Sequence, residues 1–192
     1  MEPTPDGPPS DPSRFSFLLS VGGALVAGVG VTRPWTIVTG FVTPSRGIDY
    51  AEGLAVLVLA ATILVSALAA RQGRSGKGRR SAAVVTIVAA ALIVGIGAYA
   101  ALTLPGRVRT QEIDHGVAAG VAHGFDANAM RVVLEGSVFV DRRDGIWWCI
   151  AGGALGLAGG ILTLRWAKGA GSADPDEPAG AGEPTPADGP AA

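Results

Sequence analysis

GLAVLVLAATILVSALAA, residues Gly53 to Ala70, runs directly into RQGRSGKGRR, residues Arg71 to Arg80. The first stretch holds no ionisable side chain and is close to the ~20 residues with which a helix crosses a hydrocarbon core of ~30 Å. The second packs Arg71, Arg74, Lys77, Arg79 and Arg80 together, as expected where a span stops at a charged surface. Three further runs share the character of the first: Phe15 to Thr32, Ser81 to Leu104 and Ile146 to Leu164. None contains Asp, Glu, Lys, Arg or His, the side chains that in mid-membrane mark an ion, proton or substrate path. The expected fold is an all-α membrane protein, a bundle of four transmembrane helices.

The chain has 192 residues, 48% apolar and 16% charged, a balance that a large soluble core would also show. The distribution decides against that, because the charge is gathered in the tails and connections. Net charge near −1 gives no reason to expect nucleic acid as a partner. The Lys/Arg excess places the connection 71–80 in the cytoplasm, since Thr32 to Glu52 carries only Arg33 and Arg46 over about twice the length. With four spans, the connections 33–52 and 105–145 are then outside and both termini inside, in the plasma membrane. Arg165 and Lys168 after the last span agree. Arg107, Arg109, Arg131, Arg142 and Arg143 oppose the scheme but are offset by neighbouring acidic residues. The basic connection reads as a topology signal with affinity for anionic lipid.

Residues 15–168 form the membrane domain, between tails 1–14 and 169–192 whose Pro, Gly, Ala and acidic composition is expected to stay disordered and cytoplasmic. The acidic flank Glu2, Asp6 and Asp11 is wrong for a secretory leader, which favours an uncleaved first span. Trp35, Trp147, Trp148 and Trp166 lie near predicted span ends, where indole rings prefer the headgroup level.

The outer connections carry enough pattern to predict a small cap. Trp35 to Thr43 is β-branched and aromatic and ends at Pro44, which suits a strand closed by a turn. Val132 to Val140 alternates in the manner of a second strand. The two either pair into a short sheet or each lie flat among headgroups. From Gln111 to Met130, Ile113, Val117, Val121 and Phe125 make an apolar stripe beside a row of Gly116, Gly120 and Gly124, predicting an amphipathic helix with a groove for a neighbour; a partly ordered loop is the alternative.

In the fourth span Gly152, Gly156 and Gly160 recur every four residues, and Ser20, Ala24 and Gly28 on the first span share that spacing. Small residues let helix backbones approach in lipid, so these two rows are expected to pack on one another, within the chain or against a second membrane protein or copy. Cys149 is the only cysteine, which excludes an intramolecular disulfide and a cysteine zinc site. His115, His123, Asp114 and Asp126, with Glu112, are the only polar cluster suited to a metal, but the histidines are more than two helical turns apart and no HExxH is present. Nucleophile-elbow, phosphate-loop and dinucleotide motifs are absent too. No cofactor, metal or catalytic residue is assigned.

Trp35 through Thr39 after the first span, the arginine-rich turn Arg71 through Arg80 and Trp147 at the start of the fourth span resemble, together with the four-span layout, the small membrane proteins associated with tryptophan biosynthesis genes in actinobacteria. That family has no defined biochemical role and implies no catalytic residues. Three classes of function follow. First is a structural or accessory membrane protein acting through helix packing and its cap. A transporter or channel subunit is second, with only Ser20, Thr62, Ser66 and Thr86 to offer polarity in mid-span. Last is an outer-face enzyme using His115 and His123.

Overall fold

The computed structural model describes residues 12–39, 44–72 and 76–169. Arg74, residues 40–43 of the first expected strand and most of both expected tails lie outside these. Four helices are long and apolar enough to cross a membrane. They are α1 (Pro12–Thr32), α2 (Ala51–Gln72), α3 (Gly76–Ala122) and α5 (Asp144–Gly169); α4 (Ala127–Ser137) is short and amphipathic. Ala and Leu, the strongest helix formers, make up most of α2, whereas α1 holds more Gly and Val than Ala and Leu. Acidic residues in the first turns of α2 and α5, Glu52 and Asp144, and Arg71 and Lys168 in their last turns, complement the helix dipoles.

α1 and α5 run antiparallel with backbones in close approach. A Cβ built on Gly30 would stand 2.8 Å from the Gly145 carbonyl, one on Gly23 2.6 Å from the Gly152 carbonyl, and one on Gly159 2.7 Å from the Ser20 amide. The seam is thus Ser16, Gly23 and Gly30 against Gly159, Gly152 and Gly145, spaced by seven residues rather than four. Seven residues is two turns at 3.5 per turn, the period of left-handed helix pairing. Of the expected rows, Gly152 and Gly156 do meet α1 and Ser20 meets α5, whereas Gly28 faces open space and Gly160 meets Ile87 on α3. Gly153 likewise meets Val94 and Ala90 of α3, while Gly156 stands between Ala90 and Ile63. α5 therefore wedges between α1 and α3, with α2 packed on both from the other side.

The interior is built mainly from small side chains, among them Ala27, Ala60, Ala90 and Ala100, with a few large ones such as Ile63 and Ile93. The large apolar side chains of the same helices, including Leu18, Leu25, Val58, Val65, Leu102 and Ile161, point outward and are exposed. Water favours the opposite arrangement.

The third helix departs most from expectation. α3 has 47 residues, about 70 Å at 1.5 Å per residue, and passes through Pro105 without a break. Pro105 cannot donate to the Ala101 carbonyl, yet the residues after it stay helical to Ala122 because α4 folds back and packs against them. The reversal is made at Gly124, whose φ of +88° is open to glycine and costly to other residues. Asp126 then caps α4 by accepting from the Ala129 amide at 2.9 Å. The helix expected from Gln111 to Met130 is corrected: it is the end of α3, the turn and the start of α4, with Val121 and Phe125 of the expected stripe exposed. Of the expected glycine row, Gly116 lies under Leu134 and Gly120 under Met130, the inward residues of α4, while Gly124 is in the turn. The predicted strand Val132 to Val140 is corrected, since all but its end is helix.

The sheet is real but smaller than the valine pattern suggests. β1 (Pro34–Val38) is central, between β2 (Ser45–Arg46) and β3 (Val140–Arg142), both antiparallel to it. Thr36 pairs with Arg142 and Val38 with Val140. The segment that pairs with β1 thus begins where the expected strand ends.

Candidate functional site

At the sheet end, Trp35 is the centre of the packing. Its ring is fully buried, its Nε1 donates to the Gly30 carbonyl at 3.0 Å, and Gly47 and Gly145 leave room for it. Tyr50 stacks on it at 6.2 Å between centroids, and its hydroxyl lies 2.9 Å from that of Thr36. Trp35 was expected as an exposed boundary ring; in the structure it is buried, because Gly30 of α1, Gly47, Tyr50 and Gly145 of α5 enclose the indole. Trp147 and Trp148 are exposed as boundary residues are, with Arg33 lying 5.5 Å from the Trp148 ring.

Three of the five arginines that count against the expected orientation have structural partners. Arg107 pairs with Glu52, and Arg131 with Asp114 at 2.9 Å. Arg109 donates to the carbonyls of Glu135 and Val138, 2.6 and 3.2 Å away, closing the C-terminal end of α4. The expected metal candidates are dispersed by the same contacts. Asp114 holds Arg131, Asp126 caps α4, and His123 sits at the exposed turn with Nδ1 2.8 Å from the Ala119 carbonyl of its own helix. His115 is exposed on α3. Among the described residues no group of three or more His, Cys, Asp or Glu could hold a metal ion. Cys149 is buried in the α1–α5 seam, its Sγ 3.5 Å from the Ala27 carbonyl.

The opposite end of the bundle holds a feature that the linear sequence does not display. A cavity of about 340 Å³ opens between the ends of all four long helices. Arg14 and Ser20 of α1, Arg71 of α2, Arg79 of α3, and Thr163 and Trp166 of α5 line it. Arg71 lies 4.9 Å from the centroid of the Phe17 ring and Arg79 4.7 Å from that of Trp166, contacts that tie α2 to α1 and α3 to α5. Of the expected basic cluster, the structure brings Arg71 and Arg79 to this cavity, while Lys77 and Arg80 are exposed outside it. Arg14 joins them from a distant part of the chain. A signal existed: Ser13, Ser16 and Ser20, which all line the cavity, fall on one face of α1, but nothing local says which helices close around it.

A bundle of four apolar helices, with outward leucines and valines and a small sheet at one end, defines a class: these are the features of a multi-pass membrane protein. No protein-family model, no curated protein and no solved structure matches the chain, so no family narrows this class further.

Proposed function

We propose that this chain is a multi-pass plasma-membrane protein with both termini in the cytoplasm, serving as a structural or accessory component rather than an enzyme. It holds another membrane protein, or a second copy, through its outward helix faces and its extracytoplasmic cap of sheet and α3–α4 hairpin. One observation carries the reading: the four helices bury alanine and glycine and expose leucine and valine. Lipid accepts such an exterior, whereas water would make it an aggregation surface. Orientation rests on the basic residues at the cavity end, together with the partners found by Arg107, Arg109 and Arg131 at the other.

Thiol labelling of intact cells tests the orientation, since the native Cys149 is buried and silent. Asn128→Cys in α4 is expected to react with an impermeant reagent and Gln72→Cys only after lysis; the reverse pattern would overturn it. Crosslinking in native membranes tests the role, the expected result being a defined adduct. Monomer alone at every crosslinker length would remove the accessory reading. The likeness to the tryptophan-associated proteins is proposed on the same footing, with the identity of neighbouring genes as its test. A second reading, a transporter subunit, draws on the cavity, and solute flux in proteoliposomes would establish it.

A further inference from the structure

We propose, resting on the reading of the chain as a membrane protein, that the cavity between the helix ends binds an uncharged polyol: a group of neighbouring hydroxyls, either free or as the head of a lipid. A volume of about 340 Å³ lies within the ~300–1,000 Å³ of small-molecule sites.

Thr86 calls for a ligand. A hydroxyl on a helix commonly turns back to the carbonyl one turn earlier, as those of Thr62, Ser81, Thr103 and Thr110 do. Thr86 is only 3% exposed, yet its hydroxyl makes no hydrogen bond among the described residues. The oxygen is not sealed into the packing either, and Thr86 lines the cavity, so the space that Oγ1 meets is the cavity. Its methyl carbon packs on α5, where a Cβ built on Gly160 would stand 3.3 Å away. That contact and the stiffness of a β-branched side chain hold the hydroxyl toward the opening. A buried O–H without an acceptor is destabilising, so a ligand that brings one is favoured.

The neighbouring hydroxyls are already committed. Ser16 Oγ donates to the Ser13 carbonyl, Ser20 Oγ to the Ser16 carbonyl and Thr163 Oγ1 to the Gly159 carbonyl. Each has used its one hydrogen and meets a ligand as an acceptor. Ser20 and Thr86 stand at one level of α5, since a Cβ on Gly159 would meet Ser20 Oγ and one on Gly160 the Thr86 methyl. The inner end of the cavity thus presents a donor beside several acceptors. Neighbouring hydroxyls answer both, with lone pairs for Thr86 and hydrogens for the others. An ester, an ether or a bare alkyl chain brings no hydrogens.

Depth selects a neutral group. Ser20 lies six residues beyond Arg14 and Thr86 seven beyond Arg79, about 9 and 10 Å along their helices. Ala67, Ala83 and Thr163, which also line the cavity, are uncharged too. An ion carried to this level sheds its water, and none of these lining residues has a charge to receive it, whereas a polyol exchanges water for hydroxyl oxygens. Leu18 lines the cavity and is also 64% exposed on the outside of α1, so an apolar wall runs from the cavity to the outer surface of the bundle. The same hydroxyls can therefore arrive as the glycerol head of a monoacylglycerol, with its chain outside, or as a free polyol.

The test uses the full chain in phosphatidylcholine nanodiscs, whose lipid heads carry no hydroxyl. Monooleoylglycerol and methyl oleate, which share an acyl chain and differ in the glycerol hydroxyls, are each titrated, with native mass spectrometry for binding and thermal unfolding for stability. Monooleoylglycerol is expected to bind about tenfold more tightly, the worth of one or two hydrogen bonds, and to raise the melting temperature. Thr86→Val keeps the methyl against Gly160 and removes the hydroxyl. It should lose most of that preference while the ligand-free melting temperature stays the same or rises. Thr62→Val, whose hydroxyl already donates to the Val58 carbonyl, should keep the preference. Should Thr86→Val fail to fold, Ala70→Leu, which fills the cavity, is expected to abolish the preference instead. Equal binding of the two esters, or a preference that survives Thr86→Val or cavity filling, would overturn the proposal. Free glycerol separates the two sources, and both of its outcomes support the proposal: displacement of monooleoylglycerol at millimolar concentration marks a soluble polyol, and no displacement marks a lipid head. Protein recovered without detergent would overturn the membrane reading itself, a result distinct from nanodisc-embedded protein that shows no preference for hydroxyls.

Discussion

A methyl group added at Gly152 would stand 2.4 Å from the Ala27 amide nitrogen and 2.5 Å from the Gly23 carbonyl oxygen. Backbone atoms cannot yield as a side chain can, so Gly152→Ala must separate α1 from α5, at a cost of about 1–3 kcal/mol. The same change at Gly28 meets nothing within 4 Å and relieves about 1 kcal/mol of helix-propensity penalty. Thermal unfolding in detergent should show Gly152→Ala below wild type and Gly28→Ala at or above it; equal losses would mean that the seam lies elsewhere. Trp35→Phe keeps a ring but leaves the Gly30 carbonyl without its indole donor. The Arg33 amide still reaches that carbonyl at 3.2 Å, so about 0.5–1.5 kcal/mol should be lost, seen as a lower melting temperature. Single residues were only partly legible in the sequence. Four-residue glycine rows stood out because α5 carries glycine on two faces at once, and this obscured the seven-residue row Gly145, Gly152 and Gly159 that meets α1. Trp35 looked like a boundary ring because its burial depends on Gly145, more than a hundred residues away, as well as on the nearby Gly47 and Tyr50.

At the scale of elements, the end of the uncharged run at Leu104 and the valines misled for different reasons. Pro105 reads as a stop, since it removes one helical hydrogen bond, but a neighbour that packs against the next turns can offset that loss. The neighbour is α4, and its sign in the sequence is the pair Met130 and Leu134, one turn apart, facing Gly120 and Gly116. Alternating valines masked the pair, yet Val132 and Val133 are both exposed. Spin labels at Ser81 and Val121 should therefore report about 60 Å, the length of an unbroken helix between them. A much shorter distance would show that α3 ends near Pro105. Asp126→Ala removes the cap of α4 and should weaken this helix by about 1 kcal/mol, read as faster amide exchange from Ala129 onward, with the four long helices unchanged.

For the whole molecule, the four apolar helices were legible because each sums hydropathy over some twenty residues, and no single misreading can erase such a sum. The cavity was not, because its walls are drawn from positions as far apart as Arg14 and Trp166. The expectation at this scale is that the protein stays with membranes after an alkaline wash and leaves them only in detergent; release by the wash alone would contradict the placement of its outward leucines. The length of α3 has a mechanical meaning. Arg79 near its start borders the cavity, and its last turns carry the hairpin at the far end, so one rod reaches both extremities. Pro105 is the weak joint in that rod. About 25 Å of helix lies beyond it, so a bend of roughly ten degrees there would sweep Ala122 sideways by about 4 Å, the width of one side chain. Leverage of this kind makes the hairpin tip a sensitive gauge of the angle at which α3 stands.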